Sequence, residues 1–260
     1  MELTAQEEER KAAWIKARGY WKPWTEALLR LNPEFLDSYA NYGGYTARRG
    51  PLSPVMIELI YIALDGSSTH LYSAGLKTHF KIALKLGATP AQLMEVLQLG
   101  VAQGLDGTHL GVRILVEELQ AAGQPTPELA TALSEKQLRL KREYEEFFLD
   151  WPNQAESLLR LDAGFFEVML GLVKCGIPGK RLDPPSRTLI MLALNACFTE
   201  LDADGVRVHI RRALQLGVGK DHILQVLQLV AHIGIHACSV GAVALTETLK
   251  EEGVTLPAAK

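Results

Sequence analysis

Apolar residues fall at helical spacing along almost the whole chain, and alternation of period two is absent, so the pattern predicts an all-α protein. Thr4 and Glu7 form a capping box that opens a charged helix ending at Gly19. The YWKPW turn from Tyr20 to Trp24 then leads into short apolar segments around Leu28 and Phe35. Pro51 and Pro54 precede a helix whose members Val55, Ile57, Leu59, Ile60, Ala63 and Leu64 leave little polar surface, which predicts a central position. After Thr69 a further helix runs to Gly87, a left-handed terminator, and Thr89 to Gln92 supplies a cap, a first-turn proline and a capping-box glutamine for the next. Asp106 is placed to cap a last helix ending near Gly123.

The same pattern is written twice. The stretch from Thr69 to Leu99 recurs from Thr199 to Leu229, and Gly75/Gly205, His79/His209, Gly87/Gly217 and Gln98/Gln228 all differ by 130 with no gap. The match reaches outward to Trp21/Trp151, Phe35/Phe165, Pro54/Pro184 and Gly123/Gly253, which argues for duplication of a whole domain. Two domains follow, 1–125 and 126–260, with the boundary near Thr126 to Ser134. The leading helix of the second is expected over Glu128 to Phe148, and its KREYEE cluster reads as a solvated face with i,i+4 pairs.

Composition narrows the setting. A 48% hydrophobic content over 260 residues suffices for two cores, and a net charge of −3 gives no general attraction to nucleic acid or to an anionic membrane. The first residues are too acidic for a secretory leader, and no apolar run is expected to reach the length of a membrane span. Cys175, Cys197 and Cys238 are odd in number and never in CxxC spacing, so neither a disulfide framework nor a redox dithiol is supported, and the cytoplasm is the default location.

Candidate chemistry lies where both copies keep something costly. Tyr72, Gly75, Leu76 and His79 share one helical stripe, as do Asp202, Gly205, Val206 and His209. A glycine inside a helix costs about 1 kcal/mol against alanine, so its retention calls for a reason. Either space is opened beside the imidazole for a small pocket, or two helices cross closely over a hydrogen-bonded core histidine. His232 and His236 stand at i,i+4, a spacing that can offer two nitrogens to one metal with His222 nearby, but no third ligand is evident. Cys238 reads as a small buried residue.

The paired segments HFKIALKLGATPAQLMEVL and HIRRALQLGVGKDHILQVL resemble the carboxymuconolactone decarboxylase and alkylhydroperoxidase D superfamily over most of each half. The resemblance implies a tandem duplication of an alkylhydroperoxidase D-like helical domain. In the peroxidase branch CxxC stands four residues before the histidine; here those positions hold Tyr72 and Gly75, and Asp202 and Gly205. No thiolate is available there to attack peroxide. The decarboxylase branch lacks the cysteines too, and its reaction is loss of carbon dioxide from a carboxylated unsaturated lactone without metal or organic cofactor.

That resemblance carries His79 and His209 over as candidate acids and bases, a role suited to imidazole. Glu58 occupies the superfamily's acidic position and is expected to orient His79, with His70 and Tyr72 assisting the substrate and His109 directed toward the same site. The second half has Thr188 in place of Glu58 and brings its acids before His209, Asp202 among them, so the first half is expected to be the working one. The alternatives are a catalytically silent binding or assembly module, or a metal-dependent enzyme using His232 and His236. Single-domain relatives assemble as trimers or hexamers, so a homo-oligomer, a trimer above all, is expected.

Overall fold

The computed structural model describes residues 3–124, 126–148, 151, 153–175 and 181–255. Among them every regular element is helical. In chain order they are α1 (Ala5–Arg18), α2 (Pro23–Leu31), α3 (Pro33–Arg49), α4 (Pro54–Gly66), α5 (Ser73–Lys85), α6 (Pro90–Ala121), α7 (Glu135–Phe148), α8 (Asn153–Leu161), α9 (Ala163–Lys174), α10 (Pro184–Ala196), α11 (Ala203–Gln215), α12 (Lys220–Val230) and α13 (His236–Glu251). Short 3-10 turns occupy Pro127–Leu129 and Ala231–Ile235. The bounds of α4 and α10, and of α5 and α11, are displaced by 130 at both ends.

Local chemistry explains most of these limits. Ser53 accepts a hydrogen bond from the Met56 amide and Asp183 from the Ser186 amide, so α4 and α10 begin the same way, each with proline in its first turn. Thr89 and Gln92 complete the box at the head of α6, and Gly87 and Gly217 adopt positive φ of 91° and 79° behind α5 and α11.

Three sequence expectations need correction. The helix predicted to start at Asp106 does not start there, because α6 runs unbroken for 32 residues. Gly104 and Gly107 weaken the helix, yet α6 packs against α4, α10, α8 and α9, and tertiary packing outweighs propensity. In the second half the corresponding run does break, at Ala231–Ile235. The leading helix predicted from Glu128 starts instead at Glu135, where the Ser134 hydroxyl accepts from the Gln137 amide and the Gln137 side chain accepts from the Ser134 amide. Within Lys220–Glu251 an 18-residue window reaches a mean hydropathy of 1.7, which by length and composition is apolar enough to cross a membrane, contrary to expectation. It is interrupted by the 3-10 turn, and its α12 portion buries Ile223, Val226 and Leu229 in the protein interior.

The chain forms two compact units that cut across the two sequence halves, one of residues 1–51 with 231–260, the other of residues 52–230. In the first unit α2 packs on α13 around Trp14, Leu29, Leu36, Tyr39, Ile235 and Ala242. Trp14 meets Trp24 edge-on at 5.6 Å and stacks on Tyr39 at 6.0 Å. Cys238 packs against this core as a partly buried side chain.

In the second unit α4 and α10 lie against each other at the centre, and Ile60, Ile62, Leu64, Ile190, Leu192 and Leu194 are fully buried. Each is flanked by its own following helix, α5 or α11. Two reciprocal latches join the halves here. The Glu95 carboxylate on α6 accepts from the Leu182 amide at 2.9 Å, and the Gln225 side chain on α12 accepts from the Leu52 amide at 2.8 Å. Glu95 and Gln225, like Leu52 and Leu182, are counterparts 130 apart.

Candidate active site

Helix α4 is apolar apart from Glu58, Tyr61 and Asp65, and residues seven apart on a helix share a face. That face looks onto α5, its closest neighbour. The turn between them carries Leu71 at φ 49°, a left-handed conformation costly for a branched side chain, and Leu201 repeats it at φ 51°. Leu71 itself points outward, while the Tyr72 amide donates to the Asp65 carbonyl at 2.7 Å and fixes the start of α5.

His79, two turns into α5, has a carboxylate at each nitrogen. Its Nδ1 is 2.7 Å from Glu58 Oε2, and its Nε2 is 3.8 Å from Asp65 Oδ2. The Tyr61 ring lies 4.9 Å from the imidazole centroid at a 40° tilt. Asp65 is fully buried, whereas the side chains of His79 and Glu58 keep 20% and 13% exposure, so the pair remains within reach of a solute. The predicted partnership of Glu58 with His79 is therefore present in the geometry.

Gly75 serves this arrangement in a way the sequence did not reveal. A Cβ there would overlap the Asp65 carboxylate and stand 2.6 Å from the Tyr72 ring. The space beside the imidazole is thus taken by Asp65, which the sequence reading missed. Its signal was legible all the same, as the second acid of an apolar helix, at i+7 from Glu58.

His70 is not on the histidine helix as expected. It lies in the turn before α5, donating its amide to the Ser67 carbonyl at 2.9 Å, with its ring 6.0 Å from that of Tyr72. Burial pushes its imidazole below the ordinary histidine range. His109 is buried in the middle of α6, and not in a first turn; its Nε2 has no partner among the described residues, and burial lowers its pKa. His232 and His236 do not share one α-helical face, because His232 sits in the 3-10 turn and His236 begins α13. His232 Nε2 is 2.7 Å from the Tyr39 hydroxyl, and its ring lies nearly parallel to that of Tyr42.

The second half keeps the histidine and exchanges its surroundings. Thr188 replaces Glu58 and donates its hydroxyl back to the Pro184 carbonyl at 2.9 Å, while Asn195 replaces Asp65. Burial drives His209 down to about 4, although Asp202 works against the shift. Asp202 also caps α11, its Oδ1 accepting from the Asp204 amide at 3.1 Å. The carboxyl of Asp106 is pushed up to about 7 by burial and by repulsion from Asp202 and Glu200, a hydrogen bond from Asn195 opposing. Glu200 is raised as well, by burial first and then by Asp202. The His209 imidazole has no counterpart of the Glu58 carboxylate, and the acids near it stand on α6 and in the turn before α11.

The profile of the carboxymuconolactone decarboxylase family matches residues 33–107, which span α3 to the middle of α6 and include Glu58, Asp65 and His79. No curated protein matches the chain. Among solved structures, a Burkholderia xenovorans LB400 protein bearing the proposed name gamma-carboxymuconolactone decarboxylase subunit is 31% identical, with a TM-score of 0.86 over 95% of this chain and 98% of its own. An identity of this size along nearly the full length of both chains, with an all-helical fold in common, means that this protein belongs to the carboxymuconolactone decarboxylase family.

Proposed function

We propose that the protein is a cofactor-independent decarboxylase of a small carboxylated lactone or related unsaturated acid, with His79 as general acid and base and Glu58 as the residue that positions it. The observation carrying this reading is the 2.7 Å contact between Glu58 and a partly exposed His79, within the segment matched by the family profile. In the proposed reaction the bond from ring carbon to carboxylate breaks, and its electron pair is delocalised into the conjugated carbonyl. Carbon dioxide leaves, the His79 imidazolium donates a proton to carbon, and the neutral imidazole is reprotonated from water. Tyr72 and His70, at the mouth of α5, are the proposed substrate contacts, and His209 with Asp202 form the modified copy.

The test is carbon dioxide release from a panel of carboxylated lactones and vinylogous acids. Turnover that disappears in His79→Ala with helix content unchanged supports the reading, and equal turnover in the variant overturns it. A silent binding module is the second reading, favoured by Asp65 standing at the other imidazole nitrogen and giving His79 a structural environment on both sides. Tight binding of such acids without turnover would select it. The halves 1–125 and 126–260 are proposed to be copies of one ancestral domain working in a cytoplasmic homo-oligomer.

A further inference from the structure

We propose that α6 of the first half and the α10–α11 segment of the second together build a binding site for a hard divalent cation, from Asp106, Asn195 and Asp202 with Glu200 at its edge. Asn195 is 2% exposed, and its amide lies between two acids. Its Nδ2 donates to Asp106 Oδ2 at 3.4 Å, while its Oδ1 has no hydrogen-bond partner among the described residues. That orphaned oxygen is 2.9 Å from the point where a Cβ on Gly205 would stand, a point that Asp202 Oδ2 would overlap. Glycine at 205 therefore makes room for two oxygens, one amide and one carboxylate, that converge beside its backbone. A buried carbonyl oxygen without a donor is costly to keep, so an occupant that satisfies it is expected.

The donor set identifies the occupant. Asp106, Glu200 and Asp202 form no ion pair with a lysine or arginine among the described residues. Oxygen atoms from carboxylates and one amide suit calcium or magnesium, which complete their shells with water. An organic ammonium ion would favour aromatic walls, and the counterparts of Tyr61 and Tyr72 here are Met191 and Asp202. The site is separate from the Glu58 and His79 pair and stands or falls independently of the proposed reaction.

The experiment is calorimetric titration of the chelator-treated full chain with calcium chloride and with magnesium chloride, alongside methylammonium chloride. One saturable divalent site per chain is expected, with a thermal midpoint that rises with metal concentration. Asp202→Asn and Asp106→Asn each weaken binding at least tenfold, Asn195→Asp tightens it by supplying a further charge, and the surface variant Glu167→Gln leaves it unchanged. The gain in Asn195→Asp is a result that mere misfolding does not produce. Absence of saturable heat and of a midpoint shift up to about 10 mM metal overturns the site, since extracellular-type calcium modules already bind near the millimolar range. Methylammonium binding without metal binding, or undiminished affinity in Asp202→Asn and Asp106→Asn, overturns it equally.

Discussion

The hydroxyls of Thr69 and Thr199, 130 positions apart, share a hydrogen bond of 2.7 Å. A residue that meets its own counterpart is the signature of a local twofold relation, as in an isologous interface. The neighbourhood repeats with it: Ser67 Oγ is 3.4 Å from the Thr69 hydroxyl, and Cys197 Sγ is 3.1 Å from that of Thr199. Both threonines are in exposed or half-buried positions, so the bond competes with water. Thr69→Val and Thr199→Val in a double-mutant cycle are expected to couple by about 0.5 kcal/mol in denaturant unfolding. Strict additivity would show that the contact contributes no net stability.

Glu58→Gln is expected to lower kcat for carbon dioxide release by about 10- to 100-fold, less than His79→Ala, because a positioned acid or base contributes about 10²–10⁴-fold and glutamine retains part of the orienting contact. KM should change little. A fall in binding with kcat intact would assign Glu58 to substrate recognition.

The helical class, the 130-residue register and the pairing of Glu58 with His79 were legible because periodicity, caps and repeated spacing are local properties. What escaped was set by packing. Asp65 and Asn195 occupy the space left by Gly75 and Gly205, which becomes visible only when α5 and α11 are laid on α4 and α10. Asp106 has the residue type of a helix cap, yet the contacts along α6 carry the helix through it. HxxxH at His232 and His236 has the spacing of a metal pair, but a 3-10 turn rotates the two histidines off a common face.

His209 supplies a pH test. Its folded pKa of about 4 lies below the ordinary 6.5, so between these values the unfolded chain binds the proton that the folded chain refuses. Its contribution therefore favours folding above pH 6.5 and is lost as pH falls toward 4, by at most about 3 kcal/mol. Asp106, raised to about 7, gives the opposite slope, so only the comparison of parent with His209→Gln isolates the histidine. In chelator, the difference in unfolding free energy between parent and variant should change steadily across that window. A difference independent of pH there would show that His209 titrates alike in both states.

Glu95 is 2% exposed and holds the Leu182 amide, Arg181 at 3.4 Å and Arg187 at 3.2 Å. Removing one partner of a buried ionic set typically costs about 3–5 kcal/mol, which is the loss expected for Glu95→Ala in urea unfolding. Glu95→Gln should lose less, because its counterpart Gln225 already performs the same amide capture at Leu52. Equal losses in the two variants would mean that the charge, and not the latch, is what matters.

The surface predicts assembly. On α9, Phe165, Val168 and Leu172 are 43%, 68% and 61% exposed and line one helical stripe; on α3, Phe35, Tyr42 and Tyr45 are 39%, 48% and 53% exposed. Phe165 stands 130 positions after Phe35 and Leu172 after Tyr42, and other exposed apolar residues recur at the same offset, as Leu84 with Leu214 and Leu110 with Val240. Repeated apolar faces of this kind favour closed association of identical chains. Light scattering is expected to give three times the 28.6 kDa chain mass, and Val168→Glu with Leu172→Glu to reduce it toward a single chain. A parent protein already at 28.6 kDa under micromolar conditions would show that these faces serve something other than self-assembly.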